Sequence, residues 1–143
     1  MHNLARLVDE HDALADAART LIAFATEECG RPAEAHRELT GFRDRLDVHL
    51  AAEADFIYAD EMRKDPTRLD TEIIAFEQEF ADLKNNWADY LEQWSLEAIT
   101  ADWAGFANAT TMMMRRLLER IDAENAILYP LALQHGRIRL RAA

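Results

Sequence analysis

His49 and Glu53 stand four residues apart in the set Phe42, Leu46, His49, Glu53 and Phe56, whose members step by 4, 3, 4 and 3 and so share one face of a helix. A carboxylate on the apolar stripe of a helix has to be neutralised, hydrogen-bonded or bound to a cation. An imidazole one turn away is its natural co-ligand. Two other stripes are interrupted in the same manner. His11 sits among Leu4, Leu7, Leu14, Ala18, Leu21 and Ala25, while Arg120 and Glu124 sit among Trp103, Phe106, Thr110, Met113, Leu117 and Ile127. Taken singly, each has a plain explanation, as a hydrogen-bonded core histidine or an i,i+4 ion pair. Two imidazoles and two carboxylates gathered in one apolar interior form a donor set suited to iron, manganese or zinc.

Whether they gather depends on the helices that carry them. Hydrophobic periodicity predicts a first helix over about residues 3–26. Cys29-Gly30-Arg31-Pro32 follows, with Gly at the exit and Pro at the next entry, and then a second helix over about 33–62. Arg63-Lys64-Asp65-Pro66-Thr67 is a second break. After it Leu69, Ile73, Phe76, Phe80, Leu83, Trp87, Tyr90 and Trp94 make a wholly uncharged stripe. A looser connection over 95–100, with Ser and Thr available as caps, leads to a fourth helix over about 102–129. Pro130 bends or ends it, Gly136 closes the final turn, and Arg137-Ile138-Arg139-Leu140-Arg141 is a short basic tail. The expected fold is all-α, an antiparallel up-down-up-down four-helix bundle in one domain over 1–143. In such a bundle, residues equally far from a shared loop lie level. His11 precedes Gly30 by 19 residues and His49 follows Pro32 by 17; Glu53 precedes Pro66 by 13 and Phe80 follows it by 14. At ~1.5 Å per residue these pairs match to about one turn, so one core layer collects His11, His49, Glu53, Phe80, Arg120 and Glu124.

Composition narrows the partners. With 143 residues, 50% hydrophobic, and only four Gly and three Pro, the chain suits long helices around one core. A net charge of −11 argues against nucleic acid or an anionic membrane surface as partner. Cys29 is the single cysteine, so there is no internal disulfide and no cysteine-rich metal site. The N-terminal residues are acidic where a signal peptide needs an apolar run, and no stretch approaches transmembrane length. The expected location is the cytoplasm.

The pattern resembles the hemerythrin-like family, the HHE cation-binding domain, over nearly the whole chain. The residues that carry the resemblance are Glu10-His11, His49-x-x-x-Glu53, and Arg120-Ile121-x-x-Glu124-Asn125-x-x-Leu128-Tyr129-Pro130. It implies a four-helix bundle holding two non-haem irons bridged by carboxylates, for binding oxygen or for redox and nitric-oxide sensing or repair. The chain also departs from the family, which usually has histidines where Phe80 and Arg120 stand here. By the resemblance, His11, His49, Glu53 and Glu124 are the ligands of one metal, and the second metal has lost its imidazoles. Arg120 brings a permanent cation there and is placed to neutralise Glu53 and Glu124 by bidentate hydrogen bonds. Glu79, about 100° round the helix from Phe80, is a weak substitute ligand.

The expectation is a cation-binding protein with a degenerate interior site. It retains at most one divalent metal, iron, manganese or zinc, for binding or for sensing a small diatomic ligand, and no strong case for enzymatic turnover arises. The alternative is a metal-free interaction or regulatory bundle without cofactor, its inherited polar layer closed by Arg120. Tyr58 and Tyr129 are candidate hydrogen-bonding residues behind the ligands. His2, His36 and His135 read as solvated, Met112-Met113-Met114 diverge around their helix, and Trp87, Trp94 and Trp103 read as an aromatic cluster at one end.

Overall fold

A computed structural model describes residues 4–28, 30–56 and 71–134, and among them there are helices and no strands. Helix α1 is Leu4–Ala25, α2 is Pro32–Phe56, α3 is Thr71–Gln93, α4 is Leu96–Ala101 and α5 is Trp103–Ala123. A π-helical turn, Glu124–Leu128, runs on into α6, Tyr129–Gln134. The expected end of the second helix, the 63–67 break, Leu69, Tyr58, Cys29, His2, His135, Gly136 and the basic tail lie outside the described residues.

The four long helices form an antiparallel bundle whose neighbours follow chain order. His11 on α1 meets His49 on α2, the next helix in the chain. Phe42 on α2 lies edge-on to Trp87 on α3, with ring centroids 5.6 Å apart. Tyr90 near the end of α3 bonds Thr110 near the start of α5, while Phe76 near the start of α3 meets Arg120 near the end of α5. α5 returns beside α1, because the Trp103 indole N–H donates to the Glu27 carbonyl at one end and Asn125 reaches His11 at the other. Each helix turns its apolar stripe inward. In α3, Ile73, Phe76, Phe80, Leu83, Trp87 and Tyr90 are all buried. Each fully buried side chain of this kind is worth roughly 1.5–3 kcal/mol, and the core they join continues above and below the polar layer.

Three local features differ from the periodicity reading. The connection over 95–100 is itself helical: Ser95 caps α4, its Oγ accepting from the Ala98 N–H at 3.2 Å, and Asp102 caps α5 by accepting from Gly105 N–H at 2.9 Å. In α5 the buried methionine is Met114, with Met113 half-buried, and beyond it Leu128 is buried while Ile127 is 42% exposed. A straight helix of about 3.6 residues per turn drifts off a strict heptad, and the wider π turn moves the inward position one residue further on. Gly30 is required for space rather than for a left-handed exit. A Cβ there would run into the Trp103 ring, and its backbone is not left-handed.

Candidate metal centre

α1 contributes His11, α2 contributes His49 and Glu53, and the π turn contributes Glu124. All four are at most 3% exposed, and one donor atom from each lies within 4.8 Å of every other. His11 Nε2 is 2.8 Å from Glu124 Oε1, and His49 Nε2 is 2.8 Å from Glu53 Oε1. The cross pairs are longer, at 3.7 Å for His11 to Glu53 and 3.9 Å for His49 to Glu124. Tyr129, wholly buried, donates its hydroxyl to Glu53 Oε1 at 2.9 Å, and the Tyr129 hydroxyl oxygen lies 2.8 Å from His11 Nε2 and 3.3 Å from His49 Nε2.

The outward nitrogen of each imidazole is fixed. His11 Nδ1 is 2.8 Å from Asn125 Oδ1, and His49 Nδ1 is 2.8 Å from Glu10 Oε1. Both oxygens only accept, so both Nδ1 atoms carry a proton and both Nε2 atoms are turned toward the carboxylates. That is how ligand histidines are held when the outer nitrogen sets tautomer and ring angle.

The electrostatics match a place for positive charge. Burial alone would lower the pKa of His11, but hydrogen bonds to Glu124 and Glu53 outweigh it and lift the group to about 9. For His49, burial again works downward, and the carboxylates of Glu124, Glu53 and Glu10 raise it to about 10. Burial and the neighbouring Glu124 charge push Glu53 upward. Glu124 goes the other way: burial would raise it, but the imidazoles and the Arg120 charge hold it well below the usual range. Without an ion the cluster therefore keeps protons on both imidazoles at neutral pH. Even so, Glu53 Oε2 is buried with no hydrogen-bond partner among the described residues. An orphaned carboxylate oxygen among inward-facing imidazole nitrogens is what a cation would satisfy. Ligand atoms about 2.0–2.2 Å from one ion lie about 3–4 Å from each other, so donors that now lie within 4.8 Å of one another close on one ion with shifts of up to about an ångström.

Arg120 borders the cluster but does not bridge the two acids. Its Nε donates to Glu124 Oε2 at 2.7 Å and an outer nitrogen donates to the Phe76 carbonyl at 3.1 Å. Among the described residues its carboxylate partners are Glu124 and, at 3.6 Å, the 70% exposed Glu79; Glu53 is not one of them. The guanidinium carbon lies over Phe76, 5.0 Å from the ring centroid, with Phe80 at 6.0 Å. Phe80 packs beside Arg120 in the apolar core and offers no donor. A cavity of about 20 Å³ adjoins the donors, walled by Leu46, Leu50, Leu83 and Leu117, with room for one small molecule.

Glu10 and Asn125 were not singled out by stripe reasoning, because each is about 100° round its helix from the ligand beside it. Their sequence signal is their place in the motifs that carry the family resemblance, beside His11 and Glu124. The hemerythrin HHE cation-binding domain family model matches residues 2–132. No curated protein and no solved structure gives a significant match. The chain belongs to the hemerythrin HHE cation-binding family.

Proposed function

We propose that this hemerythrin-family chain is a single-domain cation-binding protein that holds one divalent ion, iron, manganese or zinc, on His11, His49, Glu53 and Glu124. It binds or senses rather than turning over a substrate. The observation that carries this reading is the pair of imidazoles anchored through Nδ1 by Asn125 and Glu10, so that both Nε2 atoms face two buried carboxylates. A bound ion supplies a Lewis acid and, if iron, a one-electron redox centre. The chain supplies the rest. Arg120 neutralises the outer oxygen of Glu124, and the leucine-walled cavity beside the donors has room for about one water-sized molecule. Phe80 and Arg120 stand where the family resemblance expects further imidazoles, so the proposed site is mononuclear. The second reading, a metal-free regulatory bundle, draws on the Arg120 to Glu124 pair and on the hydrogen bonds that close the cluster without an ion. It leaves Glu53 Oε2 unsatisfied.

Elemental analysis of protein loaded separately with zinc, manganese and ferrous iron tests both. One ion per chain is expected, lost in His49→Ala. Two irons per chain with an oxo-bridged absorption spectrum, or no ion retained, would overturn the proposal, and the latter would favour the metal-free bundle.

A further inference from the structure

We infer that the Tyr129 oxygen is itself a ligand of the ion, bound as phenolate when the ion is ferric, an inference that rests on the four-residue site proposed above. The oxygen is 2.8 Å from His11 Nε2, 2.9 Å from Glu53 Oε1 and 3.3 Å from His49 Nε2. These three atoms belong to three different residues of the proposed site, and both nitrogens are the ones turned toward the carboxylates. A hydrogen-bonding residue behind the ligands approaches one of them from its far side. For His11 that far side is Nδ1, which Asn125 occupies, and for His49 it is Nδ1 again, which Glu10 occupies. Tyr129 is on the near side of both rings. Its separations are those of neighbouring ligands around one ion, about 3 Å for bonds near 2.1 Å. They are shorter than the cross distances of 3.7 and 3.9 Å between the assigned imidazoles and carboxylates. The ring is held there by stacking on His11, with centroids 4.9 Å apart and planes 17° from parallel, and by complete burial.

Charge then gives the oxygen a selective role. Two carboxylates neutralise a divalent ion, leaving the phenol neutral. A ferric ion carries one more positive charge in the same dry interior, and a third anionic oxygen cancels it. In binding ferric iron the phenol exchanges its O–H bond for an oxygen–iron bond, and the proton leaves to solvent with those displaced from the imidazoles. No electron moves, because the ion enters already ferric. Tyr129 thus biases a site that accepts several divalent ions toward trivalent iron.

The test is the absorption and resonance Raman spectrum of the full chain loaded with ferric citrate, beside Tyr129→Phe, with iron content measured on each. A visible phenolate-to-iron charge-transfer band is expected in the parent and absent from the variant. Tyr129→Phe should weaken ferric iron about tenfold or more beyond any weakening of zinc, a split that loss of packing alone would not produce. One ferric ion per chain without the band, or a band that persists in Tyr129→Phe, overturns the role of Tyr129 and leaves the four-residue site standing. Failure of the parent to bind any ion overturns both. Circular dichroism confirms that the variant is folded, and the parent spectrum decides on its own if it is not.

Discussion

Arg120 is the residue that sets how strongly the cluster wants another cation. Its side chain is 9% exposed and sits on the outer oxygen of Glu124, leaving the inner oxygen facing His11. It therefore competes with an ion by charge, not by occupying the same atom. Replacing it with Met keeps apolar contact with Phe76 and Phe80 but orphans Glu124 Oε2, which should cost the metal-free protein on the order of 3–5 kcal/mol. Added zinc should restore more of the thermal midpoint in Arg120→Met than it adds to the parent. Arg120→His removes the same charge and supplies an imidazole, and is expected to raise zinc affinity about tenfold. Calorimetric titration of the three proteins checks this, and equal or weaker zinc binding in Arg120→His would mean that Arg120 does not guard the site.

The π turn is the element that allows Glu124 and Tyr129 to face the same interior. Five residues of α-helix advance about 500°, which would leave Tyr129 roughly 140° away from Glu124. Here the Tyr129 N–H bonds the Glu124 carbonyl, one turn closed over five residues, and both side chains are buried. Pro130 favours this because it lacks an N–H and its ring crowds the carbonyl four residues back. Deleting the exposed Ala126 should convert the turn to ordinary α-helix while keeping Tyr129 on the face of Glu124, so helicity and a one-ion stoichiometry should survive. Deleting the 66% exposed Met112 inside regular α5 should rotate Glu124 off the core and abolish binding. Circular dichroism and elemental analysis on both deletions decide it; loss of binding in the first would show that the turn does more than absorb one residue. Such a turn is not legible in the sequence, where Ile127 fits the heptad and Leu128 does not. The long helices are legible, because an uncharged stripe such as Ile73 to Trp94 has one plausible inward face. So is the convergence of His11, His49, Glu53 and Glu124, which level-counting along an antiparallel bundle anticipates. The outward anchors Glu10 and Asn125 and the failure of Arg120 to reach Glu53 depend on neighbouring helices and have no period of their own.

At the scale of the molecule, the stability of the metal-free fold and the uptake of an ion respond oppositely to pH. The core continues on both sides of the layer, from Leu21, Phe42 and Phe106 on one side to Ile73 and Ala132 on the other, so chelation should leave the chain helical by circular dichroism. What an ion changes is the proton balance. His11 and His49 are raised from 6.5 to about 9 and about 10, so their contribution to stability is full below pH 6.5 and disappears as pH rises through those values. Glu53, raised by burial and by Glu124, acts with the same sign. Glu124, held low, opposes them only in acid, its contribution being lost as pH falls below the ordinary 4.5. The metal-free protein should therefore be most stable in the mildly acid range and lose on the order of a few kcal/mol toward about pH 10. Metal uptake has the reverse dependence, because each imidazole must shed a proton before its nitrogen can bind; zinc affinity should climb by up to about two log units per pH unit from about pH 6.5 to about 8.5. Thermal midpoints measured with zinc and with chelator should thus lie close together at the acid end and separate steadily as pH rises. Titration in two buffers of different ionisation enthalpy should show about two protons released per ion near neutral pH. A midpoint difference that stays constant across the range, with no proton release, would show that the ion does not enter the His11, His49, Glu53 and Glu124 cluster.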